Sequence, residues 1–110
     1  MDIQSIEPVI AARELKKYDG KKVEILIGKP RPMADGQDYF CPYKIDGVGN
    51  GRVSYAMGID GIQALLLALQ KIGADLYTSK EMQQGELEWM GGGERDLGFP
   101  LPDSIKDLGP

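Results

Sequence analysis

Histidine is absent from the 110 residues, and cysteine occurs once, at Cys41. The first absence removes Ser-His-Asp and Cys-His catalysis, the metal triad of two histidines and a carboxylate, and the one side chain that titrates near neutrality when unperturbed. The second removes Cys-rich zinc sites and any intramolecular disulfide. No transition metal and no cofactor is therefore expected. No apolar run approaches the roughly 20 residues of a membrane span. Met1-Asp2-Ile3-Gln4 carries neither the basic nor the apolar stretch of a secretory signal. A cytoplasmic protein is expected, and a lone thiol agrees with a reducing compartment. What remains is carboxylate, lysine or tyrosine chemistry, or binding without chemistry, which is the larger class.

Basic residues are also too few for nucleic acid. The net charge is -4, and phosphate contacts are supplied mainly by Lys and Arg. Residues 1–32 hold seven basic and five acidic side chains, whereas the remainder holds six and twelve. An acidic face of this kind either stays solvated or meets a basic partner by electrostatic steering. At 42% hydrophobic residues the chain can bury one modest core. A single domain over 1–100 with a tail over 101–110 is expected, since the tail has too few apolar residues for a core of its own.

Lys22–Gly28 alternates Val23, Ile25 and Ile27 with Glu24 and Leu26, the period of a half-buried strand. Asp19-Gly20 just before it is a strong hairpin signal, which predicts a partner strand over Val9–Lys17. The proline-bearing stretch 28–36 reads as a loop. Alternation returns over 38–46, with Tyr39, Cys41, Tyr43 and Ile45 on one side and Phe40, Pro42, Lys44 and Asp46 on the other. Pro42 there implies an edge strand or a bulge. A glycine-rich turn over 47–51 precedes a strand over 52–57. Asp60 and Gln63 are spaced as a helix cap, and Ile62, Leu65, Leu66, Leu69, Ile72 and Leu76 follow at helical steps as the expected buried stripe. Residues 86–90 form a possible fifth strand, ended by Gly91-Gly92-Gly93.

Chemistry is sparse in this pattern. Cys41 has no neighbouring base and is expected to act as a small buried apolar residue. Gly91-Gly92-Gly93 lacks the Lys-Ser/Thr ending of a phosphate loop. Glu86, Glu88, Glu94 and Asp96 match no calcium loop and are read as solvated charge. The densest group of unusual residues is the 38–46 strand, where aromatics with polar tips suit a contact surface or a core face.

The runs Asp38-Tyr39-Phe40-Cys41-Pro42-Tyr43, Gly47-Val48-Gly49, Tyr55-Ala56-Met57-Gly58-Ile59-Asp60, Gln63-Ala64-Leu65 and Ile72-Gly73-Ala74-Asp75-Leu76-Tyr77 occur in that order. With Gly28-Lys29-Pro30 and Asp96-Leu97-Gly98-Phe99-Pro100, they resemble a family of small bacterial proteins classed only as a domain of unknown function. The resemblance spans most of the chain and rests on a Cys-Pro-Tyr strand followed by an Asp-capped helix. It implies a bacterial source and a compact α+β domain, and it brings no catalytic residue.

The expected architecture is a two-layer α+β domain: a four- or five-stranded, mainly antiparallel sheet covered on one face by a helix over about 60–77. The expected function is a non-catalytic protein-binding or accessory module, working through a protein partner or self-association as a homodimer, with no nucleic acid and no membrane. Its expected contact residues are Phe40, Pro42, Tyr39, Tyr43 and Trp89, with Leu26 on the sheet face that the helix leaves open. The alternative is a small-molecule binder or histidine-free enzyme, using tyrosines and carboxylates in a cleft between the sheet and the Gly-rich 91–98 loop.

Overall fold

At Asp19-Gly20 the chain reverses as its residues dictate. Gly20 takes φ 87°, Asp19 Oδ1 accepts from Lys21 N at 2.9 Å, and Gly20 N donates to Lys17 O at 2.9 Å. The turn joins β1 (Val9–Lys17) to β2 (Lys22–Gly28) and sets Leu15 opposite Val23 and Arg13 opposite Ile25. A computed structural model describes residues 5–110. It adds β3 (Arg31–Pro32), β4 (Tyr39–Asp46), β5 (Ser54–Gly58), α1 (Gly61–Tyr77), α2 (Lys80–Gln83), β6 (Leu87–Glu88) and a 3-10 helix over Asp103–Leu108. All strand pairs are antiparallel, in the order β3-β4-β2-β1-β6 with β5 on β4. The fold is α+β, with six strands rather than four or five. The extra one is Arg31–Pro32, inside the expected loop, pairing with Phe40 and Tyr39.

β4 lies inside the sheet, not at its edge. One side of it pairs with β5, from Tyr39 opposite Gly58 to Tyr43 opposite Ser54. The other side pairs with β2 as far as Tyr43 opposite Ile27, and with β3 from Phe40 opposite Arg31. Pro42 stands at the gap between those two ladders, where a missing N–H breaks no regular pairing.

Asp60 caps α1 as its spacing predicts. Its Oδ1 accepts from Gln63 N at 2.8 Å, and Gln63 Oε1 accepts in return from Ile59 N at 2.7 Å. Asp60→Ala is expected to cost about 0.5–2 kcal/mol in urea unfolding, and an unchanged midpoint would remove the cap from the account. The buried stripe, however, is Ala64, Ala68, Ile72 and Leu76, each 0% exposed. Ile62 and Leu66, expected inside, are exposed. Steps of four residues along α1 place these four on the line facing β4 and β5, and methyl side chains at the first two let the helix lie close to the sheet.

On that face Val23, Ile25, Cys41, Tyr43 and Ala56 join the helix in one core. The opposite face is not the open apolar patch expected for it. Ser5–Pro8 crosses it: Lys29 N donates to Pro8 O at 2.9 Å, Ile6 is buried, and Pro42 is fully buried. Arg31 lies over the Phe40 ring at 5.0 Å. The rest of the face is mixed, with Glu14, Glu24 and Asp46 in register across β1, β2 and β4 and Ala12, Leu26 and Lys44 in the next row on that face.

The segment after β6 returns to the core. Leu97 is 0% exposed, and Leu101 and Leu108 pack on the core from the tail. Arg95 donates to the carbonyls of Asp107 at 3.3 Å and Leu108 at 2.9 Å. A chain ending at Pro100 is expected to keep one cooperative unfolding transition at a lowered midpoint, because the half-buried Leu101 and Leu108 leave with the tail while Leu97 stays. Loss of the transition would make 101–110 integral to the domain.

Candidate functional site

The five contact residues expected from the sequence do not form one surface. Pro42 and Tyr43 are buried on opposite faces of β4, while Tyr39 and Phe40 are half-buried, again on opposite faces. The Tyr43 hydroxyl donates to Asp75 Oδ2 at 3.3 Å. Burial first, and then the Asp75 carboxylate, push the Tyr43 phenol above its usual value, against a lowering contribution from Ser54. That phenol is a proton holder, not a base at neutral pH. Cys41 is buried, its Sγ lies 3.5 Å from Gly28 O, and burial raises the thiol pKa to about 11. It is a core residue, as its lack of a neighbouring base implied.

Trp89 is structural as well. The Arg13 guanidinium stacks between two rings, 3.9 Å from the Trp89 centroid and 4.9 Å from that of Phe99. It donates to Leu97 O at 3.1 Å and Gly98 O at 2.8 Å. A cation held between two π faces and two carbonyls ties the 89–99 segment to β1. Gly91, Gly92 and Gly98 crowd the indole so closely that a Cβ at any of them would collide with it. The glycine run makes room for a tryptophan.

Two features stand out among the described residues as places for a ligand or partner. One is a cleft of about 820 Å³ bounded by α2, β6 and the loop after Trp89. Tyr77, Met82 and Leu87 line it, together with the acids Glu86, Glu94 and Asp96. The other is an exposed apolar surface: Ile62 is 74% exposed and Leu66 54%, both placed inside by the helical periodicity, and Ile59 just before the helix is 72% exposed, with Met57 and Leu67 also exposed. The sequence signal for it was present in Leu65-Leu66-Leu67, a run too wide for one buried stripe. Among the described residues, no group of three or more His, Cys, Asp or Glu is placed to hold a metal ion. No helix described is long and apolar enough to cross a membrane.

The model of a domain of unknown function, DUF6968, matches residues 11–101, and the chain belongs to that family. No curated protein matches it, and no solved structure does.

Proposed function

We propose that the chain is a non-catalytic binding module that pairs with a second copy of itself through the N-terminal half of α1. The exposure of Ile59, Ile62 and Leu66 carries this reading. Ile62 and Leu66 are four residues apart in α1 and so make an apolar ridge on its solvent side, with Ile59 exposed just before the Asp60 cap. Two further observations support this occupant. From Val53 to Gln70 the only charged side chain is Asp60, although the chain carries -4 overall. A neutral ridge meets its own copy without like-charge repulsion, whereas a basic partner would seek the acidic faces. Beside the ridge, Lys71 Nζ donates to Tyr55 O at 2.7 Å on edge strand β5. A lysine occupying that carbonyl guards the strand against edge-to-edge pairing, which leaves helix against helix about a two-fold axis.

The same surface replaces the sheet face centred on Phe40 and Pro42, which Ile6 and Arg31 cover. Light scattering at micromolar concentration is expected to give twice the 12.0 kDa chain mass, and Leu66→Asp to return it to one chain. A single-chain mass across the accessible range rejects self-association. A dimer that survives both Ile62→Asp and Leu66→Asp rejects this surface. Each substitution sits on an exposed position, so folding is expected to persist, with a circular dichroism spectrum like that of the parent chain.

A further inference from the structure

We infer that the cleft beside α2 binds a small organic amine that carries an apolar body and a neutral hydrogen-bond acceptor. Its volume of about 820 Å³ lies in the range of small-molecule sites, roughly 300–1,000 Å³. Three features of the lining divide the ligand into parts.

The apolar part is supplied by Met82, Leu87 and Leu108, which line the cleft together with the Trp89 ring. The charge comes from the acids. Glu86, Glu88, Glu94 and Asp96 line it against a single basic residue, Arg95. The Arg95 guanidinium is held away on the tail carbonyls of Asp107 and Leu108 and keeps its charge, but the four carboxylates outnumber it. An ammonium group entering between these walls gains attraction from every uncommitted carboxylate, and an anion is repelled.

Tyr77 defines the third part. It is 1% exposed and lines the cleft, and its hydroxyl accepts from Leu97 N at 2.8 Å. Its own proton has no acceptor among the described residues. A buried donor left unspent costs free energy that a ligand carbonyl or hydroxyl recovers. An ammonium cannot accept a hydrogen bond, so the acceptor must be a second, neutral group. Amino-acid amides and amino alcohols with an apolar side chain have this combination.

Trp89 is the only tryptophan and lines the cleft, so intrinsic fluorescence reports on it directly. The full chain is titrated with L-phenylalaninamide, which has the ammonium, the carbonyl and the ring. A saturable change is expected. At least about a tenfold weaker response is expected from 3-phenylpropanamide, which lacks the ammonium, and from phenethylamine, which lacks the carbonyl. The Glu86→Gln, Glu94→Gln double variant changes charge at non-core positions and is expected to weaken L-phenylalaninamide binding several-fold while unfolding at the parent midpoint. No saturation up to about 10 mM, an equal response to 3-phenylpropanamide, or parent affinity in the double variant would each overturn the amine. An equal response to phenethylamine would overturn the role given to the Tyr77 hydroxyl. The dimer surface on α1 shares no residue with this cleft, so the two readings fail separately.

Discussion

Leu97→Ala is expected to lower the unfolding free energy by about 2–5 kcal/mol, the range for truncating a fully buried leucine. Leu97 lies outside every helix and strand and has glycines and charged residues close by in sequence, yet it is 0% exposed within the core. It is also fixed through its backbone: its N–H donates to the Tyr77 hydroxyl at 2.8 Å, and its carbonyl accepts from Arg13 at 3.1 Å. A side chain anchored at both backbone groups cannot slide to fill a neighbouring void, so the cavity term stays in the cost. Leu108→Ala, at a half-buried position on the tail, is expected to cost clearly less. Urea unfolding of the two variants beside the parent checks the order. Equal and small losses would mean that the segment after β6 is a surface strap, not part of the core.

Leu97 also marks where the sequence stopped being legible. The β1–β2 hairpin could be read because its signal is local: an Asp-Gly turn and strict alternation over seven residues. The Asp60 cap could be read for the same reason, since Asp60 and Gln63 bond within one helical turn. The buried face of α1 could not. Ile62, Leu65, Leu66 and Leu69 fit a helical stripe as well as Ala64 and Ala68 do, and the choice between them depends on how closely the helix approaches β4 and β5. That is a tertiary quantity. Trp89 could be read as partly buried, but not what covers it, since Arg13, 76 positions earlier in the sequence, is stacked on it. The sequence suggested a cleft between the sheet and the 91–98 loop, and the one observed is bounded by α2 and β6 as well. Its lining could not be read, since Tyr77 arrives from the far end of α1 and Leu108 from the tail.

Gly73 offers a test in which local and tertiary reasoning predict opposite signs. Within a helix, Gly→Ala should stabilise by about 1 kcal/mol, because alanine has less backbone freedom to lose. Gly73 sits well inside α1 and is buried. A Cβ built there would run into the carbonyl oxygen of Pro100 and would come within 3.4 Å of Phe99 Cβ. The obstacle is mainly backbone, so no rotamer change can relieve it; the 97–101 segment has to move off the helix. Phe99 also stacks on Arg13, and Leu97 accepts from the same guanidinium. Displacing the segment therefore loosens the clasp on Trp89 as well. Overpacking of this kind costs about 1–3 kcal/mol, enough to outweigh the propensity gain. Gly73→Ala is expected to unfold at a lower urea concentration with an unchanged m value, and with altered Trp89 fluorescence in the folded state. A variant more stable than the parent would show that residues 97–101 do not lie against α1 in solution, and would withdraw the core position given to Leu97 along with it.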